Sequence, residues 1–185
     1  MPKKGQSRHW DHHKKKHHFP TVNSTVKINL FSILQDKSKS FSSFKPVIAD
    51  LKVADTPNTN RLICHAVLDA GACGIIAQAF PGKDSLQACA QSVAEHKADL
   101  FVVTEMSHPG AELFMAPQAE AMARLAVEVG AVGVVAPATR PERIAKIRSI
   151  IGERIVISPG VGAQGGSAGA ALQAGADYLI VGRSI

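Results

Sequence analysis

Residues 46–55 have the sequence PVIADLKVAD, an apolar run that ends in three charged side chains. Successive residues of a strand point to opposite faces of a sheet, so Asp50 and Lys52 are expected on the same side. Asp55 follows where the strand should give way to a loop. Buried charges are costly unless they are paired, and α/β barrels hold their chemistry at the carboxyl ends of the strands. The stretch therefore predicts a catalytic group of charges, with a structural ion pair at the barrel rim as the alternative.

Length and composition fit one domain with a sizeable core, since 45% of the 185 residues are hydrophobic. The net charge of +6 is concentrated in residues 1–23, where six Lys and Arg stand against Asp11, hence +5. The remainder is close to neutral and gives no reason to expect a nucleic-acid partner. The sequence has no run of membrane-spanning length and no apolar signal-peptide core at its N-terminus. We expect a soluble, cytoplasmic protein.

The three cysteines, Cys64, Cys73 and Cys89, are odd in number and have no CxxC spacing. This pattern is typical of small apolar core residues in a reducing compartment, and not of disulfides or a metal site.

Residues 1–23 form a block in which five histidines are interleaved with lysines and almost nothing apolar is available for burial. Such a composition predicts a disordered tail. Metal binding by the histidines and nucleic-acid binding by the lysines, through the phosphates, are the functional alternatives. The predicted domain organisation is a tail over 1–23 and a barrel domain over 24–185.

From residue 24 onwards, short β-rich runs alternate with helical stretches. The predicted strands are 25–29, 47–52, 74–78, 100–104, 133–136, 155–158 and 178–181. The predicted helices are 57–69, 84–96, 118–129, 141–152 and 169–174. Gly71, Gly130 and Gly175 each lie between a helix and a strand, which suits the left-handed position that closes a helix. Repeated βα units with apolar strands predict a parallel sheet covered by helices. Seven strands in this rhythm favour a (β/α)8 TIM barrel, incomplete because about seven strands are present, with an open sheet as the alternative.

Two single residues near other strands are further candidates. Lys27 lies within an apolar strand, and beside Asp50 and Lys52 it would join an array of alternating charges that keeps the lysines protonated. An exposed or edge lysine is the alternative. Ser107, in the segment TEMSHPG after the strand 100–104, could bind a ligand or satisfy a turn. The neighbouring His108 is interpreted as structural.

A glycine-dense loop, SPGVGAQGG over 158–166, follows the sixth predicted strand. Glycine allows backbone N–H groups to approach an anion closely, and the helix that follows would add its positive end. The last strand then leads to Arg183. Two adjacent loops late in a barrel form the phosphate site of many such enzymes, so a phosphorylated ligand is predicted.

Five segments, taken together and in this order, resemble the orotidine 5′-monophosphate decarboxylase family. They are 50–57 (DLKVADTP), 104–112 (TEMSHPGAE), 139–143 (TRPER), 158–166 (SPGVGAQGG) and 181–185 (VGRSI). The resemblance covers about residues 24–185. It implies a (β/α)8 barrel without cofactor that works as a homodimer with shared active sites. The implied reaction is decarboxylation of orotidine 5′-monophosphate to UMP in de novo pyrimidine synthesis.

The resemblance also implies roles for individual residues. Lys52 would donate a proton to C6 of the pyrimidine, and Asp50 would lie against the substrate carboxylate. Lys27 would orient the charges and touch the ribose, while Asp55 and Thr59 would reach the partner subunit's site. The pyrimidine and phosphate contacts are expected from Ser107, Pro159, Gly160, Val161, Gln164, Gly182 and Arg183.

The sequence departs from the family pattern at both ends. The polar residues 1–23 do not match the family's first strand, which carries a ribose-binding aspartate, and no final helix follows the last strand. An opened barrel exposes strand edges, so we expect low stability. Two other functions stay open: a Mg²⁺-dependent sugar-phosphate decarboxylase or aldolase with the same Asp-x-Lys-x-x-Asp core, and a non-catalytic remnant whose basic tail dominates binding.

Overall fold

The structure is a computed structural model that describes residues 47–183. Its elements are, in chain order, β1 (Ile48–Val53), α1 (Pro57–Asp69), β2 (Gly74–Gln78), α2 (Lys83–His96), β3 (Asp99–Val103), α3 (Ala111–Phe114), a 3₁₀ turn (Ala116–Gln118), α4 (Ala119–Glu128), β4 (Gly133–Val135), α5 (Pro141–Ile151), β5 (Ile155–Pro159), α6 (Ala168–Gln173) and β6 (Tyr178–Ile180). The predicted tail, the predicted strand 25–29 and Lys27 lie outside the described residues.

The six strands of the described region form one sheet in which each strand pairs in parallel with the next along the chain. This sequential order, with a helix in each crossover, is that of a (β/α) barrel. The predicted fold class is therefore confirmed for residues 47–183. All the strand carboxyl ends consequently lie at one edge of the curved sheet.

Both faces of the sheet are apolar, which explains why the strands read as nearly continuous hydrophobic runs. The inner face buries the cluster Ile76, Phe101, Val103, Val135 and Ile157. The alternate residues of the same strands pack outward against the helices in the larger core. This alternation leaves the last inward-facing residue of each strand at the carboxyl edge.

Most predicted element bounds agree with the structure to within one or two residues. Gly71, Gly130 and Gly175 have φ values of 96°, 76° and 106°, so the predicted left-handed positions after α1, α4 and α6 are confirmed. The sequence did not predict the short helices at 111–118, because elements of four and three residues are too short to show a helical periodicity.

The prediction that side chains alternate regularly along the strand at 47–52 is wrong. Strand β1 does not alternate regularly, because the register shifts between Ala49 and Val53 and Lys52 takes a left-handed φ of 50°. The strand also continues to Val53, one residue beyond its predicted end.

The cysteines are free thiols, and Cys64 and Cys89 are fully buried where α1 packs against α2, as predicted for core residues. A hydrogen bond between the two thiols, together with burial, raises the pKa of Cys89. Cys73 is half-buried and donates to the Val47 carbonyl oxygen at 3.3 Å. No helix within residues 47–183 combines the length and the apolar character needed to cross a bilayer.

Candidate active site

A cavity of about 340 Å³ opens at the carboxyl edge of the sheet, and all six described strands contribute to its wall. Its lining residues are Asp50, Lys52, Ile76, Val103, Met106, Ser107, His108, Val135, Pro159, Gln164 and Ile180. Five of the residues predicted from the sequence to form the site therefore come together here: Asp50, Lys52, Ser107, Pro159 and Gln164. His108, interpreted from the sequence as structural, also lies on this wall.

The two charges on β1 form an ion pair inside this cavity. The Lys52 Nζ lies 2.6 Å from Asp50 Oδ2, and the side chains are 36% and 42% exposed. The bulge at Lys52 places a non-glycine residue in the left-handed region, a conformation that costs on the order of 1–3 kcal/mol and is concentrated at functional sites. Asp50 and Lys52 therefore lie on the same side, as expected from the sequence, although β1 lacks the regular alternation on which that expectation was based.

The cavity has an apolar floor beneath this ion pair. Ile76, Val103 and Val135 are buried inward-facing residues of β2, β3 and β4 that also line the cavity. Charges act over a longer range beside such a surface than in water, because the local dielectric is low. The arrangement can therefore stabilise negative charge that develops on a ligand near the Lys52 ammonium.

Ser107 and the glycine-rich loop support each other on the opposite wall. The Ser107 carbonyl accepts a hydrogen bond from the Thr139 hydroxyl at 3.0 Å. Gly160 has a φ of 103°, and a Cβ at this position would lie 2.8 Å from the Ser107 Cβ. Glycine at 160 is thus required for close contact with Ser107.

The glycine-rich loop is folded on itself by backbone hydrogen bonds. The Gly166 amide donates to the Gly160 carbonyl at 3.0 Å, and the Gly165 amide donates to Gly162 at 2.7 Å. The loop leads to Ser167, whose hydroxyl accepts from the Ala170 amide at the start of α6. Gln164 is held by this fold of the backbone at the rim of the cavity.

Several predicted site residues do not line this cavity within the single chain: Asp55, Thr59, Gly160, Val161, Gly182 and Arg183. Gly182 and Arg183 are exposed beyond the end of β6, the strand beside β5, so they lie at the same sheet edge as the glycine-rich loop.

Asp55 lies in a well-fixed loop before α1. Its amide donates to Asn60 Oδ1 at 2.9 Å, and its carbonyl accepts from the Ser85 hydroxyl at 2.9 Å. Asn60 is fully buried and its amide group donates to Ser85 Oγ at 2.7 Å. The Asp55 carboxylate accepts from the Thr56 amide at 2.6 Å and is exposed. The loop therefore presents Asp55 to solvent from a rigid base.

Sequence reasoning missed two groups of residues near the cavity. The apolar floor was missed because inward-facing strand residues cannot be distinguished from ordinary core. The buried Glu105, with Arg140 and Arg143 against its two carboxylate oxygens, was not predicted as a site residue. A carboxylate directly after an apolar strand was the signal available for it. Within residues 47–183 no three His, Cys, Asp or Glu side chains cluster as metal ligands would.

Comparison with known proteins gives consistent matches. A sequence model of the orotidine 5′-phosphate decarboxylase / HUMPS family matches residues 16–185. Orotidine 5′-phosphate decarboxylase of Methanosarcina acetivorans is 61% identical over 148 residues, which are 80% of this chain and 67% of that protein.

Solved structures show the same likeness. Orotidine 5′-monophosphate decarboxylase of Methanocaldococcus jannaschii, complexed with the inhibitor BMP, superposes with a TM-score of 0.73 at 45% identity, over 76% of this chain and 66% of that one. The enzyme of Pyrococcus horikoshii OT3 gives a TM-score of 0.66 at 49% identity, over 76% and 65%. The chain spans about two thirds of the length of these proteins.

Proposed function

Because the chain belongs to the orotidine 5′-phosphate decarboxylase / HUMPS family, we propose that it converts orotidine 5′-monophosphate to UMP, a step of de novo pyrimidine synthesis. The observation that carries the proposal is the Asp50–Lys52 ion pair, 2.6 Å long, in a cavity at the carboxyl edge of the strands. In barrels of this kind that edge is where the chemistry takes place.

The proposed chemistry follows from the charges. Loss of CO₂ leaves an electron pair on C6 of the pyrimidine, in an orbital that the ring cannot delocalise. Stabilisation must then be electrostatic, and a preorganised ammonium group at Lys52 provides it. Lys52 next donates its proton to C6 to give UMP, and it regains a proton from solvent. Asp50 orients the Lys52 ammonium through their 2.6 Å ion pair and faces the departing carboxylate.

The remaining predicted residues would bind the rest of the nucleotide. Ser107 and Gln164 lie on the cavity wall, where pyrimidine and phosphate groups can accept or donate hydrogen bonds. Pro159, Gly160, Val161, Gly182 and Arg183 follow β5 and β6, and we assign the phosphate to this pair of loops. Binding energy from a distant phosphate holds the reacting carbon in place. Lys27, outside the described residues, would complete the charge array and touch the ribose.

We further propose that the chain acts as a homodimer with shared sites. An apolar groove of about 540 Å³ adjoins the cavity at Met106, and Phe80 and Phe114 on its wall are 65% and 76% exposed. A second copy covering this face would remove these aromatic rings from water. Asp55 and Thr59 would then reach the partner's cavity, a role consistent with their position outside their own. A cytoplasmic location stays a prediction.

The proposal is tested by measuring orotidylate turnover with the purified chain, following the loss of pyrimidine absorbance. Lys52→Ala should abolish turnover, whereas Lys83→Ala, which removes a surface lysine paired with Glu128, should not. Turnover that needs Mg²⁺ and stops with a chelator would favour the sugar-phosphate sister enzymes. A folded chain without turnover, whose ligand binding is lost on deletion of residues 1–23, would identify the non-catalytic alternative.

A further inference from the structure

Glu105 is a carboxylate without any solvent exposure, placed two residues before Ser107 on the cavity wall. Its Oε1 accepts from the Arg140 Nε at 2.8 Å, and its Oε2 accepts from the Arg143 Nε at 2.8 Å. Both arginines come from the start of α5 and are themselves mostly buried, at 16% and 22% exposed. One buried negative charge thus fixes two guanidinium groups.

The arginines held in this way bind the backbone of the segment that carries Ser107. The Arg140 Nη2 donates to the Met106 carbonyl at 2.6 Å, and the Arg143 Nη2 donates to the Ala116 carbonyl. Arg140 also donates to the exposed Glu112 at 3.2 Å. Together these bonds attach both ends of the β3–α4 connection, at 106 and at 116, to the start of α5.

The same helix start fixes the next residue along the wall. The Thr139 hydroxyl, adjacent to Arg140, donates to the Ser107 carbonyl at 3.0 Å. The consecutive carbonyls of Met106 and Ser107 are therefore both held by groups at 139–140. Met106 and Ser107 line the cavity that contains Asp50 and Lys52. A shift of Arg140 would consequently move the wall that faces the ion pair.

Stability alone is a poor explanation for this cluster. Burying charges carries a large desolvation penalty, and well-packed apolar residues in place of a buried ion pair are often as stable or more stable. The cluster instead supplies directional constraints, because a guanidinium group can bind a carboxylate and a carbonyl at fixed angles. Fixed angles are needed where a wall must stay in register with reacting groups.

We propose that Glu105 is a positioning residue for the decarboxylation, acting through Arg140 and Arg143 to hold Met106 and Ser107 against the substrate. This positioning role adds to the proposed function and rests on it. Misplacement of reacting groups by about 1 Å can lower a rate by roughly 100-fold. Loss of the Glu105 charge should therefore lower kcat far more than it lowers the amount of folded protein.

The test compares Glu105→Gln and Arg140→Lys with Arg148→Lys as a matched control. Arg148 lies on the same helix α5, is 25% exposed, and binds the Gly175 carbonyl and Asp177 at the end of the helix remote from the cavity. Arg148→Lys should reduce thermal stability without changing kcat or KM. Arg140→Lys keeps the positive charge but loses the guanidinium group that binds both Glu105 and the Met106 carbonyl. This variant provides the test if Glu105→Gln does not fold.

We expect kcat/KM of Glu105→Gln or Arg140→Lys to fall by about 100-fold, mainly through kcat, at a folded fraction equal to that of Arg148→Lys. Wild-type kcat and KM in Arg140→Lys would overturn the proposal. If the wild-type chain itself shows no turnover, the proposed function fails, and hydrogen exchange of the peptide 104–116 decides the positioning role separately. Faster exchange there in Arg140→Lys than in Arg148→Lys supports it, and equal exchange overturns it.

Discussion

The ammonium of Lys52 contacts the carboxylate of Asp50 at 2.6 Å, although a bulge interrupts the strand between Ala49 and Val53. In a regular strand, alternation alone would place these side chains on one face. Here the left-handed backbone at Lys52 determines the direction of the lysine. The ion pair is therefore a product of a specific backbone conformation as well as of the residue spacing.

Asp50→Asn should lower kcat/KM by about 100-fold, because the neutral amide no longer holds the Lys52 ammonium in its orientation. Steady-state kinetics with orotidylate measure the effect. Asp69→Asn is the control, since Asp69 is an exposed carboxylate at the far end of α1 that pairs with His96. Equal activity of the Asp50→Asn variant and the wild-type protein would remove Asp50 from the proposed site.

Lys52→Gly should be more stable than Lys52→Ala by about 0.5–1 kcal/mol. A left-handed conformation costs alanine roughly 1–2 kcal/mol but glycine almost nothing, and the entropy of the unfolded glycine chain offsets part of this gain. Urea unfolding of both inactive variants gives the difference. At Leu51, which does not have a positive φ, the order should reverse. Alanine more stable than glycine at 52 would mean that the strain is absent.

The fold could be predicted because its signals are local. Strand β2 was predicted with the bounds that the structure shows, Gly74–Gln78, since its apolar run is continuous and flanked by turn residues. Helix α1 begins at Pro57 as predicted, because proline suits a first helical turn. Apolar periodicity and the placement of Gly and Pro are sufficient for such elements.

The site could be predicted only in part, because its details depend on long-range packing. Asp50 and Lys52 were found from their spacing, but the bulge between them leaves no sequence signal. Glu105 meets Arg140 and Arg143 across 35 and 38 residues, so its complete burial could not be seen from its neighbours along the chain. The exposed face around Phe114 could not be predicted either, because exposure is a property of the assembled surface.

Gly160→Ala should lower turnover and stability together. The new Cβ would lie 2.8 Å from the Ser107 Cβ and 3.1 Å from the Thr139 Cγ2, at a backbone φ that disfavours alanine. We expect a loss of about 1–3 kcal/mol in the free energy of unfolding and a raised KM, measured by urea unfolding and kinetics. Gly169→Ala, where no atom lies within 4 Å, is the control and should fold normally. An unchanged KM in the Gly160→Ala variant would contradict the close packing.

His96 should give the stability a pH dependence. Its Nδ1–H donates to the Ser92 carbonyl at 2.9 Å and its Nε2–H donates to the Asp69 carboxylate at 3.0 Å. These two bonds, with Glu95 nearby, raise the pKa of His96 above its ordinary value. A raised folded-state pKa stabilises the fold fully below the unfolded-state pKa, and this contribution is lost as the pH rises through the folded-state value. The neighbouring His65, 4.9 Å away, pairs with Glu95.

The contribution of His96 to stability is tested by comparing the thermal midpoints of the wild-type protein and His96→Gln from about pH 5 to pH 8. The thermal midpoint of the wild-type protein should exceed that of His96→Gln most at the acidic end of this range, and the difference should shrink as the pH rises. Asp69→Asn should reduce the same difference, because it removes one of the partners. A difference in thermal midpoint that grows with pH would contradict the prediction that protonated His96 stabilises the fold.

Phe114→Asp should convert the proposed homodimer to monomers and lower its activity. Phe114 is 76% exposed on the wall of the apolar groove that meets the active-site cavity at Met106, so a partner covering it would desolvate the ring and would exclude a buried carboxylate. Sedimentation velocity gives the oligomeric state, and kinetics on the same samples give the activity. Leu172→Asp, at a residue 49% exposed on α6 and outside the groove, is the matched control and should stay dimeric.

If turnover is lost with the dimer, the site needs groups from the second copy, as proposed for Asp55 and Thr59. A wild-type chain that is monomeric and fully active would exclude shared sites and would leave the Asp55 carboxylate with a structural role, as the acceptor from the Thr56 amide.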